Sequence, residues 1–196
     1  MKYLFIAVLL LVSTNLSADT DPVWGGRRVL VIGDSLIAGN SGFAACLREC
    51  LKTAPASLFI ESEIGARPRT FSKDNRLHEL IKKHKAESVI IVLGMNTLRS
   101  PASVVRDSIR NLTYQLHGTE CFWVGPPPLI EGADHLLKKY RSFVEPKCKY
   151  FDTSKEVKFS PKSVSGFHVK AWKGRRWAKA FLWWVFNQVP VERTIS

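Results

Sequence analysis

The chain has 196 residues, with 29 Lys and Arg against 17 Asp and Glu, a formal charge of +12. At roughly 100–200 residues per domain this length fits one domain. Hydrophobic residues make up 45% and charged residues 23%, close to the globular average of ~45–50% and ~25%, which excludes a disordered chain, a coiled coil and a collagen-like fibre. The 4 cysteines are too few for a disulfide scaffold, and a chain this long can bury a core.

The first 18 residues, MKYLFIAVLLLVSTNLSA, place one Lys ahead of an apolar run from Tyr3 to Val12 and end on the small residue Ala18. The run is short of the ~20 residues needed to cross a bilayer. It fits a secretory signal peptide cleaved after Ala18, the alternative being an uncleaved anchor. The expected organisation is a signal peptide over 1–18 and a single domain over 19–196, exported to the periplasm or secreted.

Strands and helices then alternate. Arg28–Ile32 is a β-branched run ending at Gly33, and Phe43, Ala44, Cys46, Leu47, Cys50 and Leu51 recur at helical spacing. Ser57–Ile60 reads as a second strand, and Leu77, Leu80, Ile81 and His84 as a helix with Asp74 as its N-cap. Ser88–Leu93 is apolar on both faces, as a central parallel strand is. Ser100 and Pro101 read as N-cap and first position of a helix through Val105, Ile109, Leu112 and Leu116. Cys121–Val124, a helix around Leu136–Val144, Lys149–Phe151 and a closing helix over Ala171–Val185 complete the series, with 153–167 as a surface loop. Such alternation predicts a three-layer α/β/α sandwich on a five-stranded parallel sheet.

Export allows disulfides. Cys121 and Cys148 each open a predicted strand, and neighbouring strands would let them pair. Cys46 and Cys50 lie one helical turn apart on one face, as a bridge or as two small buried side chains.

In open α/β sheets ligands sit beyond the carboxyl ends of the strands. There the sequence places Gly33-Asp34-Ser35-Leu36 after the first strand, Gly65 after the second, Gly94-Met95-Asn96-Thr97 after the third, and Ser165-Gly166-Phe167-His168 before the last helix. Each block alone is weak; their order is a more specific signal. A serine hydroxyl needs a base such as His to act as a nucleophile, and acyl transfer needs donors for its oxyanion. Asp34 is expected to hold the turn rather than exchange protons.

In these blocks, VLVIGDSLIAGN, IIVLGMNTL and SGFHVKAWKGRRWAKAF, the chain resembles the SGNH hydrolase superfamily of GDSL esterases and lipases, from about Val29 to Val185. The resemblance implies a flavodoxin-like fold and a serine esterase with Ser35 as nucleophile and His168 as base. It assigns the oxyanion hole to the N–H groups of Ser35 and Gly65 and the amide of Asn96. The sequence departs from the family at Thr97, where an Asp is usual, and at Ser165, the usual place of the Asp that orients the His. Three options follow: a backbone carbonyl near 165 orients His168 in a Ser-His dyad, a carboxylate such as Asp152 or Glu156 reaches it, or hydrolysis is lost and the pocket binds only.

No cofactor is implied, and the His and Cys residues show no metal-ligand spacing. Basic clusters at Arg67/Arg69, Lys82–Lys85, Lys138–Arg141 and Lys170–Lys179 suit an anionic cell-wall polymer or membrane surface by steering; nucleic acid is not expected. The expected substrate is an ester-bearing small molecule or polysaccharide with a short acyl group such as acetyl. Lipase, lysophospholipase or thioesterase activity, or non-catalytic carbohydrate or membrane binding, are the alternatives.

Overall fold

The structure, a computed structural model, describes residues 25–52, 56–130, 134–160, 164–165 and 168–188; the predicted signal peptide lies outside them. Five parallel strands, β1 (Arg28–Gly33), β2 (Ser57–Ser62), β3 (Ser88–Val92), β4 (Glu120–Val124) and β5 (Lys149–Phe151), form one sheet in the order β2-β1-β3-β4-β5. Side chains alternate across a strand, and here both faces are apolar. Val29, Val31, Ile90, Val92, Phe122 and Val124 face one core. Leu30, Ile32, Val89, Ile91, Cys121 and Trp123 face the other.

Helices cover both faces. The first core is closed by α1 (Gly42–Lys52) and α7 (Ala171–Gln188), through Phe43, Leu47, Trp177 and Phe181. The second is closed by α2 (Pro68–Ser72), α3 (Arg76–His84), α4 (Ala102–Tyr114) and α5 (Asp134–Val144). The α1–α7 contact is close because each helix brings a glycine to it. A Cβ on Gly42 would lie 1.8 Å from the Ala171 carbonyl oxygen, and one on Gly174 would lie 2.9 Å from the Phe43 nitrogen. Arg175 pairs with Glu49 at the edge of the same contact.

Cys121 and Cys148 are bonded and tie the start of β4 to the residue before β5. Cys46 and Cys50 are not bonded; their sulfurs stand 3.4 Å apart, and burial pushes the Cys46 thiol up to about 12. Among the described residues no helix is long and apolar enough to cross a membrane.

Three local expectations are revised and one element is new. Asp74 is not the cap of α3: it and Asn75 are left-handed, with φ of 54° and 56°, and Asn75 holds the cap position without a side-chain bond. The first N–H groups of α3 are met instead by Gln115, whose Oε1 accepts from Leu77 and His78 at 3.1 and 3.3 Å. The cap before α4 is Pro101 rather than Ser100, and helix begins at Ala102. The short helix α2 was not read from the sequence. Within 153–167, expected to be loop, the chain forms α6 (Thr153–Glu156) and the strand β6 (Val164–Ser165), which pairs antiparallel with β7 (His168–Val169).

Candidate active site

A cleft of about 550 Å³ opens beyond the ends of β1, β2 and β3, and Ser35, Gly65, Asn96 and His168 all line it. The strand order explains the gathering. With β1 between β2 and β3, the loop carrying Gly65 and the loop carrying Asn96 flank the turn carrying Ser35. His168 comes from β7, immediately before α7.

The turn at Ser35 is built by its neighbour. The Asp34 N–H donates to the Val92 carbonyl at 3.3 Å, and the Asp34 carbonyl accepts from Ile37 N–H at 3.1 Å. One oxygen of its side chain accepts from Leu36 N–H at 2.9 Å, an Asx turn that bends the chain as a backbone turn does. The other accepts from Asn96 Nδ2 at 3.1 Å. Asp34 is fully buried, and burial pushes its carboxyl up to about 6 against the opposing pull of the Leu36 N–H. It is a turn-holding residue.

Asn96 bridges three loops. Its Nδ2 donates to Asp34 Oδ2 and to the Ala66 carbonyl, each at 3.1 Å. A carboxamide nitrogen has two hydrogens, so both are engaged, and donation to a bound oxyanion requires one of them to be shared or released. By contrast, among the described residues neither the Ser35 nor the Gly65 N–H has a protein acceptor. Gly65 has φ of 76°, and a Cβ there would meet nothing within 4 Å. Its glycine serves the left-handed backbone, which disfavours side chains, rather than a close approach.

Beneath the cleft the end of β3 is clamped. Trp123 Nε1 and the Tyr140 hydroxyl both donate to the Leu93 carbonyl, at 3.1 and 3.2 Å. Thr97, where the resemblance expects Asp, is buried and donates its hydroxyl to the Gly94 carbonyl at 2.9 Å. The departure at 97 therefore closes a turn.

His168 is exposed and stands opposite Ser165 in the β6–β7 pair. Among the described residues no hydrogen bond joins it to Ser35 or to a carboxylate. Asp152, the weak candidate for a third member, is corrected. Its side chain caps α6 through Ser154 N–H and Oγ at 3.2 and 2.6 Å and accepts from Arg141 Nη1 at 3.0 Å. It lines a different cavity with Arg141 and Lys155. Local turn bonds and a guanidinium occupy its oxygens. Glu156 lies exposed on α6. Among the described residues no group of His, Cys, Asp and Glu could hold a metal ion.

The cleft also holds residues that the sequence reading did not assign to it: Arg67, Arg99, Ser100 and Ile130. Arg67 had been read as part of a surface cluster. The available signal was position, two residues after Gly65 and three after Asn96.

No family profile matches the chain, and no curated protein matches it. Solved structures do. Axe2, an acetylxylan esterase from Geobacillus stearothermophilus, superposes with a TM-score of 0.66 at 14% identity, covering 82% of this chain and 94% of that one. EstA, a psychrotrophic esterase from Pseudoalteromonas sp., gives 0.66 at 14% identity, covering 83% and 98%. LAE5, described as an alpha/beta hydrolase enzyme from the metagenome of Lake Arreo, gives 0.65 at 16% identity, covering 81% and 94%. None of these descriptions names an SGNH or GDSL hydrolase, and LAE5 is described as an alpha/beta hydrolase, so the expectation of that superfamily and its flavodoxin-like fold is not carried by the comparisons; at 14–16% identity the likeness shows a fold and no superfamily. The physical reason is that the blocks VLVIGDSLIAGN, IIVLGMNTL and SGFHVKAWKGRRWAKAF report how a serine, an asparagine and a histidine are presented at strand ends, and such turns do not by themselves report the family around them. What the likeness carries is the architecture, a five-stranded parallel sheet flanked by helices.

Proposed function

We propose that this protein is a serine esterase that removes short acyl groups, acetyl above all, from a carbohydrate or cell-wall polymer after export. The single observation that carries the reading is that one cleft collects Ser35, Gly65, Asn96 and His168 from four separate segments of the chain. Ser35 Oγ attacks the ester carbonyl while His168 takes its proton. The unengaged N–H groups of Ser35 and Gly65 hold the oxyanion, one such donor being worth ~10²–10³ in rate, and Asn96 joins them by releasing the Ala66 carbonyl. His168 returns the proton to the leaving alkoxide, and water then frees the acyl-enzyme.

Variants of Axe2 described as catalytic mutants replace a serine, an aspartate and a histidine, the aspartate three positions before the histidine. The same spacing here falls on Ser165, so His168 acts in a dyad oriented by backbone of the β6–β7 pair. Loss of the orienting acid has cost ~10⁴ in one protease, and a slow enzyme is expected.

The test is labelling of the purified protein with a fluorophosphonate, with the modified residue located by mass spectrometry. Modification of Ser35, turnover of acetyl over octanoyl esters, and loss of both in Ser35→Ala are the expected results. A folded protein that neither labels nor turns over any ester overturns the reading.

A further inference from the structure

Among the described residues the cleft is lined by two guanidinium groups and by no Asp or Glu. Arg67 follows Gly65 on the loop after β2, and Arg99 follows Asn96 on the loop after β3. They therefore stand on either side of the Ser35 turn. Both are exposed, and among the described residues neither has a carboxylate partner. Nearby carboxylates are already taken. Glu63, two residues before Gly65, accepts from Arg76 at 2.7 Å, and Asp34 is buried under the cleft and bonded to Leu36 and Asn96. Elsewhere Arg27 pairs with Glu120, Arg141 with Asp152 and Arg175 with Glu49, while Arg48 donates to the Gly39 carbonyl and Arg176 lies over the Trp172 ring. Among the described residues, the two charges at the cleft have no carboxylate against them.

A planar guanidinium matches the paired oxygens of a carboxylate or phosphate, and a net charge of +12 steers such anions toward the molecule. Resting on the esterase reading, we infer that the alcohol portion of the substrate bears a carboxylate or phosphate group, held by Arg67 and Arg99 while the ester lies over Ser35. A short acyl group has no place for a charge, so the anion belongs to the alcohol. The apolar side chains of Leu36, Met95 and Ile130 in the same cleft are left for the acyl group and the uncharged ring.

The experiment uses three acetyl esters on one ring: an O-acetylated methyl galactoside, the corresponding methyl galacturonide, and the methyl galactoside 6-phosphate. At low salt the better of the two charged esters should exceed the neutral one in kcat/KM by about tenfold, the product of two exposed charge pairs. The gap should shrink at about 0.5 M NaCl through screening. The ratio of charged to neutral should fall to near one in Arg67→Gln/Arg99→Gln and persist in part in Arg67→Lys/Arg99→Lys. Which charged ester wins identifies carboxylate or phosphate. Equal kcat/KM for all three esters, or a ratio unmoved by the double Gln variant, overturns the inference. A second arm needs no turnover: calorimetric binding of the deacetylated uronide, 6-phosphate and galactoside to Ser35→Ala protein. Tighter binding of the uronide or the phosphate, lost in the double Gln background, upholds the anion site even if no ester is hydrolysed, a result that would sink the esterase reading alone. Equal binding of charged and neutral rings overturns the anion site.

Discussion

Asp34 shows how one buried side chain is tied to both stability and the site. Its carboxyl, raised to about 6 from 3.8, binds a proton more readily in the folded chain than in the unfolded one. Stability from this group is therefore full below about pH 4 and is lost as pH rises through 6. The loss is on the order of 3 kcal/mol. In Asp34→Asn no proton is exchanged there. The stability of the native protein relative to this variant, measured by urea unfolding, should fall by that order between pH 4 and pH 7. A flat difference would show that the carboxyl is not raised. The same substitution sets an amide nitrogen against the Asn96 amide nitrogen, donor facing donor. Ester turnover should then drop even where the fold holds.

Among the elements, the bridge between Cys121 and Cys148 closes a segment that contains the whole of α5 and joins β4 to β5. With a sequence separation of 27 between its ends, its removal should destabilise the chain by about 3–4 kcal/mol. Thermal unfolding of Cys121→Ser/Cys148→Ser against the native protein measures it; an unchanged midpoint would sink the estimate. The strands were legible because each is a short apolar run bounded by glycine, proline or charge. The positions after them were legible because ligands gather at strand ends in such sheets. The cap of α3 was not, since Gln115 reaches it from 38 residues away, and no local pattern announces that. Nor was the Asn96 bridge, which exists only because β1 lies between β2 and β3. For the same reason Arg67 reads in the sequence as surface charge, and Arg99 belongs to no motif there. The superfamily was misjudged because turn chemistry recurs wherever a strand must end by presenting a serine.

For the molecule as a whole, Ser35 and His168 belong to segments that meet through helices. Ser35 leads into α1 and His168 into α7, and those helices touch through Gly42 and Gly174. Gly174→Ala would place a methyl 2.9 Å from the Phe43 nitrogen. Overpacking of this kind costs about 1–3 kcal/mol, partly offset by the ~1 kcal/mol that Ala gains over Gly in a helix. A midpoint lowered by up to about 8 °C is expected. Displacing a reacting group by about 1 Å can cost ~10² in rate, so kcat should fall further than the modest loss of stability suggests. Equal kcat in the variant would show that the histidine strand is positioned independently of α7.

That backbone-to-backbone crossing makes the two helices a caliper whose jaws are the serine turn and the histidine strand. An instrument of this kind loses its setting before it comes apart. On slow warming, turnover should fade several degrees ahead of the far-ultraviolet circular dichroism transition, and return on cooling from that interval.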